Sequence, residues 1–468
     1  MTQGEPRSLQ NLLDRIPNVV DHLYNQPLTL LGTFPDLPPE FTNWRDEQHA
    51  WRESVALFDQ SYHMTNLYLS GPGALRVLER IGVNSFRNFR PGQAKQLVAC
   101  SPEGFVIGDG ILFFLPDGRL KLVSRPGITN WVHYHAETSG EDVVIEKDAW
   151  SVIDPNRPRT VYRFEVQGPQ AMPLLEELNG GPLPVVKYFR LGEMTIAGRR
   201  VLFLRHGMAG TPGAELFGPW EDREIVRTAI IEAGQKYSLR RVGSKAYITS
   251  GIEGVGWIPS PVPAIYTSPA LRSYREWLPA TSEEAIGSIG GSFYSPNIED
   301  YYFTPWDLGY GHLIKFDHDF IGRQALESMA DQPHRVKVTL VWDGDDATQT
   351  IRTMFSAPPG QRAKFIDWPL PRYALWQYDA VMNERGERIG VSTTCGYSSN
   401  FSAVLSLAVL DPAYSQPGTR VTILWGEPNG GSRKPLVERH LQTEIRATVA
   451  PVPFADHARQ YLLAARGH

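Results

Sequence analysis

Phe58-Asp59-Gln60-Ser61-Tyr62-His63-Met64 gathers carboxylate, amide, hydroxyl, phenol and imidazole side chains into one short run. Two later segments are read with it: Gly104-Phe-Val-Ile-Gly-Asp109-Gly-Ile-Leu and Arg205-His-Gly-Met-Ala-Gly-Thr-Pro-Gly-Ala-Glu215-Leu. Generic catalytic signatures are missing from these and from the rest of the chain. There is no Gly-x-Ser-x-Gly elbow, no Walker loop, no Gly-x-Gly-x-x-Gly after a strand and no His-Glu-x-x-His helix. His133 and His135 lie two apart, a spacing that shares a face only on a strand, and no third ligand is evident. Asp317-His318-Asp319 reads as a polar loop and Gly430-Gly431-Ser432-Arg433-Lys434 as a hairpin tip, so no metal site is expected.

At 468 residues the chain exceeds one ordinary core, and ~150 residues per domain implies about three domains. Charged residues make up 21% and hydrophobic ones 42%, the mix of a soluble globular protein. With 46 basic against 51 acidic residues, scattered along the chain, there is no basic field to attract nucleic acid. Two cysteines, Cys100 and Cys395, argue against a disulfide framework and for a reducing compartment. The first residues, Met1-Thr-Gln-Gly-Glu-Pro-Arg, hold no apolar signal core. Apolar runs such as Ile111–Leu115 are strand-length, well short of the ~20 residues of a membrane helix. A cytoplasmic monomer or homodimer is expected.

Glycine and proline punctuate the chain often, and strand-like runs are short. Phe113-Phe114-Leu115, Pro116-Asp117-Gly118 and Leu120–Val123 read as a hairpin, as do Met194–Ile196, Ala197-Gly198 and Val201–Leu204. Val336–Leu340 and Arg420–Trp425 are alternating strands of a later β-rich unit. Gly73–Ile81, Pro169–Leu178, Glu221–Tyr237 and Gly322–Met329 carry apolar residues at helical spacing. Strands and helices mix without a βαβ rhythm, which makes the class α+β. A composition shift near Asp331–His334 suggests a boundary, and Ala347–Pro371 reads as a long loop.

The three opening segments, in their order and spacing, resemble the folate-binding core of the aminomethyltransferase (T-protein) family of the glycine cleavage system. Phe58–Met64 looks like its Asp-x-Ser-His-Met element, and Gln167-Gly168-Pro169-Gln170-Ala171 like its Gly-Pro-x-Ala helix start. Asn297–Asp300, Thr304-Pro305, Gly309-Tyr310-Gly311 and Phe320–Leu326 look like its third-domain entry, and Gly390–Tyr397 with Gly418–Val421 like its closing barrel. The similarity covers most of residues 45–450. It implies a three-domain cloverleaf with folate running through the central hole. Residues 1–65 and 158–275 would form a discontinuous folate-binding domain and 66–157 a second α+β domain. Residues 276–330 would connect these to a C-terminal β-barrel-like domain at 331–468. A tighter resemblance joins the chain to tetrahydrofolate-dependent O-demethylases of lignin-derived aromatics, which act on vanillate, 3-O-methylgallate and syringate. Phe41–Arg45, Ser244–Tyr247, Gly256–Tyr266, Tyr274–Pro279 and Trp425–Gly431 carry it.

That resemblance implies a methyltransferase moving the methoxy methyl of a small aromatic acid to tetrahydrofolate. The leaving group is a phenoxide, conjugate base of an acid with pKa near ~10. Alignment of amine, methyl carbon and ether oxygen can supply roughly 7–11 kcal/mol. General acid catalysis adds ~10²–10⁴-fold. His63 and Tyr247 match the polar positions beside the ether oxygen, and His63 suits acid–base work because an unperturbed imidazole titrates near neutrality. Arg125 falls where the substrate carboxylate is expected, with Gln60 and Ser61 in the same pocket. Glu215 looks like the carboxylate that accepts from the pterin, with Gln167 and Trp257 as further folate contacts. Leu28–Phe34, and Leu31 within it, replaces a tyrosine-bearing edge of vanillate-type relatives, which favours syringate and its second methoxy group. Two departures speak against aminomethyl transfer: Gly108-Asp109 stands in place of an Asp-Asp pair, and Met208–Gly213 replaces a Tyr-Thr-Gly-Glu-Asp run. The competing readings are demethylation or aminomethyl transfer with another small donor, and a non-catalytic folate-binding protein.

Overall fold

The computed structural model describes residues 5–27, 37–151, 156–259 and 261–466. Three sheets carry the architecture. The first has six strands in the order Leu239–Val242, Val55–Asp59, Val161–Gln167, Gly213–Pro219, Arg199–Leu204 and Leu191–Ile196. Its outermost pair, Val55–Asp59 with Leu239–Val242, is parallel, and the other pairs are antiparallel. The second has five strands, Gln93–Cys100, Val106–Phe114, Leu120–Ser124, Thr65–Ser70 and Val144–Asp148, under the helix Pro126–Thr138. The third is a closed six-stranded barrel running from Val336–Trp342 to Thr443–Ala450. Mixed strands and helices without a doubly wound sheet make the class α+β, closed by a β-barrel, as the sequence implied.

Local chemistry explains most of the elements. Asp117-Gly118 turns the strand ending at Phe114 into the one starting at Leu120, with Phe114 opposite Leu120. Ala197 and Gly198 both take positive φ, 47° and 73°, the two-residue turn whose twist matches a hairpin. All four sequence-predicted helices form, as Ala74–Ile81, Ala171–Asn179, Arg223–Gly234 and Arg323–Met329.

One expectation fails. Within the predicted loop Ala347–Pro371, the structure has a helix, Gly344–Ser356. Asp343 caps it, accepting from the backbone N–H of Asp345 and Asp346 at 3.1 and 3.0 Å. Its buried residues are Ala347 and Thr350, too small to print an apolar stripe on the sequence.

Candidate functional site

The strand Val161–Gln167 is buried along its whole length, and its period of two divides its side chains. Tyr162, Phe164 and Val166 enter an apolar cluster with Leu174, Leu175 and Leu216. Arg163, Glu165 and Gln167 therefore face the other way. Register places Glu165 opposite Phe58 on one side and Glu215 on the other. Two buried carboxylates side by side are costly unless compensated. Arg163 supplies the compensation: its guanidinium pairs with Glu215 and donates to Gln60 Oε1 at 3.2 Å. The Gln60 amide and the backbone N–H of Met208 in turn donate to Glu165. Burial nevertheless raises Glu165 to about 7. Sequence reading passed over Arg163 and Glu165, although their alternation with Tyr162, Phe164 and Val166 was a usable signal.

The loop after this sheet's Val55–Asp59 strand is pinned from below. Gln60 N–H donates to the Arg163 carbonyl at 2.9 Å. The Ser61 hydroxyl accepts from Arg163 N–H at 3.1 Å and donates to its carbonyl at 3.2 Å. Ser61 thus fixes the loop's path, and the next turn carries His63 to Tyr247, with Nε2 and the phenol oxygen 2.8 Å apart. Tyr247 ends a short helix, Ser244–Tyr247, whose approach is set by Glu47. That carboxylate accepts from the backbone N–H of Phe41, Thr42 and Gly243 at 2.6, 3.0 and 2.8 Å. The Tyr247 ring packs edge-on against Phe58 at 5.8 Å and against His63 at 4.9 Å.

Burial, then the charges of Arg163, Arg159 and Arg125, push the His63 pKa well below the ordinary imidazole value. Burial, then Glu165, pushes the Tyr247 phenol well above its own. Both are neutral at pH 7, so His63 is not a group poised at neutrality. The Gln60 backbone hydrogen-bonds the imidazole, which leaves Nε2 to accept from the Tyr247 hydroxyl. The pair is a neutral relay that can give or take one proton at the Tyr247 oxygen.

Beside this relay lies a cavity of about 920 Å³. Its walls come from all three sheets: Arg163 and Glu215 from the first with Gln60 from the loop after Asp59, Asp109 and Val123 from the second, Val336 from the barrel. His63, Tyr247 and Arg125 do not line it. Glu215 is 2% exposed, with the Arg163 guanidinium against one oxygen and His206 Nδ1 3.7 Å from the other. Trp257 shows its ring to the cavity and donates from Nε1 to Asp109 at 3.0 Å. Tyr310 donates to the same Asp109 oxygen at 2.9 Å, while the other carboxylate oxygen has no partner, and burial raises the Asp109 pKa. Gln167 does not line the cavity. Its amide donates to the Thr211 carbonyl at 3.0 Å and accepts from Ala209 N–H at 2.6 Å, lashing down the 205–213 loop. A Cβ at Gly207 would overlap this amide, which accounts for glycine there.

Arg125 precedes the helix Pro126–Thr138 and lies over Trp150, 5.0 Å from its ring centre. Nε and Nη2 both donate to one oxygen of Glu283, at 3.3 and 3.0 Å, with both side chains buried. Leu31 and its segment lie outside the described residues. Among the described residues no group of three or more His, Cys, Asp or Glu is placed to hold a metal, and no helix is long and apolar enough to cross a membrane. His133 pairs instead with Glu137 on one helix at 3.1 Å.

A model of the GCVT N-terminal domain matches residues 27–255. A syringate O-demethylase from Sphingobium sp. is 46% identical, over 97% of both chains. The chain belongs to the glycine-cleavage T-protein family. A sesamin methylene transferase from Sinomonas sp. is 29% identical over 92% of each chain. The crystal structure of aminomethyltransferase T from Bartonella henselae shares the fold, with a TM-score of 0.59 at 18% identity over 90% of this chain and 92% of that one. Against the T-protein pattern, the Gly108-Asp109 departure falls at a tight contact. A Cβ at Gly108 would sit 3.0 Å from the Cβ and 3.1 Å from the backbone nitrogen of Ile128, so an aspartate there needs the start of this helix to give by a few tenths of an ångström.

Proposed function

We propose that this T-protein relative is a tetrahydrofolate-dependent aryl O-demethylase acting on a methoxybenzoate, with syringate preferred. The observation that carries the reading is Glu215: a buried carboxylate, compensated by Arg163, that lines the cavity. An acceptor-only group suits the adjacent N–H donors of a reduced pterin. Trp257 offers the flat apolar wall, and Gln167 holds the loop that carries the site without touching ligand. Bound there, tetrahydrofolate supplies the secondary amine that accepts the methyl group.

The chain's own residues manage the leaving oxygen. Tyr247, with His63 behind it, donates to the departing phenoxide and takes up the proton of a neighbouring ring hydroxyl. A phenol donor is matched in acidity to a phenol leaving group, which favours transfer in the transition state. The syringate O-demethylase of Sphingobium sp., matched over 97% of both chains, supports the donor class. Incubation with tetrahydrofolate and a panel of methoxybenzoates should give 5-methyl-tetrahydrofolate, fastest with syringate. Recovery of the methoxy carbon as formaldehyde, or transfer from none of the panel, would overturn the reading.

A further inference from the structure

His63 sits where the chain changes sheets. The strand Val55–Asp59 of the six-stranded sheet ends, residues 60–64 cross over, and Thr65–Ser70 begins in the five-stranded sheet. The chain comes back by a second crossing, between Val144–Asp148 and Val161–Gln167. Arg159 lies in that return and ties the two crossings together. Its Nη2 donates to the Met64 carbonyl at 2.9 Å. Its Nη1 donates to the Ala149 carbonyl and, at 3.3 Å, to the Ser151 hydroxyl. Nε stands 3.0 Å from Asp148 Oδ1, with both side chains 2% exposed.

Ser151, held in this way, donates its backbone N–H to the Tyr62 carbonyl at 3.2 Å. The peptide carbonyls on either side of His63 are therefore both fixed from the return crossing, one by Arg159 and one by a residue that Arg159 holds. Asp148 supplies the anchor, since its strand pairs Asn66 with it in register. A planar guanidinium can meet two carbonyls, a hydroxyl and a carboxylate at once, whereas an ammonium offers its donors from a single point. Arg159 does not line the cavity that Glu215 and Trp257 face.

We propose that Arg159 is a positioning residue for methyl transfer, clamping the two carbonyls that flank His63 so that Nε2 stays in reach of the Tyr247 hydroxyl. Its consequence for turnover rests on the demethylase reading above; its effect on the His63–Tyr247 pair does not.

Arg159→Lys keeps a positive charge beside Asp148 and loses the fork. Single-turnover formation of 5-methyl-tetrahydrofolate should slow on the order of 10²-fold, the scale of a misplacement of roughly 1 Å, with tetrahydrofolate affinity as in wild type. In the Tyr247→Phe background the same substitution should cost nothing further, because the relay it serves is already broken. Losses that multiply would mark a general structural defect and overturn the assignment, as would wild-type turnover in Arg159→Lys. Imidazole nitrogen NMR, with His63 assigned through His63→Gln, reads the clamp without turnover. The Nε2 resonance should move in Arg159→Lys towards its position in Tyr247→Phe, whether or not any methyl donor is consumed; an unmoved resonance refutes the clamp. Should Arg159→Lys fail to fold, Asp148→Asn combined with Arg159→Gln removes both buried charges together, and the same resonance shift in that protein supports the clamp while its absence refutes it.

Discussion

Tyr247→Phe deletes one oxygen and little else, which makes it the sharpest probe of the relay. The ring's edge-on contacts with Phe58 and His63 do not involve the hydroxyl and survive. What goes is the 2.8 Å hydrogen bond to His63 Nε2, leaving that nitrogen without its donor in a mostly buried setting. Orphaning a buried polar group costs about 1–3 kcal/mol, so a lower urea midpoint with an intact fold is expected. Loss of a positioned proton donor should cut methyl transfer by ~10²–10⁴. Glu215 and Trp257 are untouched, so tetrahydrofolate affinity should not move. The assay is single-turnover formation of 5-methyl-tetrahydrofolate, with coenzyme affinity from calorimetry on the same preparation. Wild-type turnover in the variant would end the argument for the relay. So would a loss explained wholly by weaker coenzyme binding.

Glu215→Gln should weaken tetrahydrofolate by about ten- to a hundredfold, the worth of a charge-assisted acceptor pair, as titration calorimetry would show; unchanged affinity would place the pterin elsewhere. Burial lowers His135 and His206 to about 4, so the native state keeps both neutral while the unfolded chain binds protons below about 6.5. Their contribution is present above that value and is lost as pH falls towards 4. Urea midpoints measured at neutral pH and at mildly acidic pH should fall accordingly, and His206→Asn should flatten the slope.

Much of the fold was legible because its signals are local. The hairpins at Asp117-Gly118 and Ala197-Gly198 carry their turn chemistry in two residues. The helix Gly344–Ser356 was not, because it rests on one capping aspartate and buries small residues. In the site, Glu215, Trp257 and Gln60 line one cavity and His63 meets Tyr247, all of them residues that the sequence singles out. Arg163 and Glu165 stayed hidden for a physical reason. Their importance lies in which charge each one meets or lacks, and that is settled only when distant strands pair. Arg125 shows the same limit, since the partner that occupies its guanidinium is Glu283, 158 positions along the chain.

The cavity's three walls have a consequence for how this molecule falls apart. A coenzyme lodged where both open sheets and the barrel meet acts as mortar, because no one sheet holds the site alone. Its binding energy is then shared by the whole chain and is forfeited when any one wall melts. Saturation should draw separate melting steps together into a single, later one.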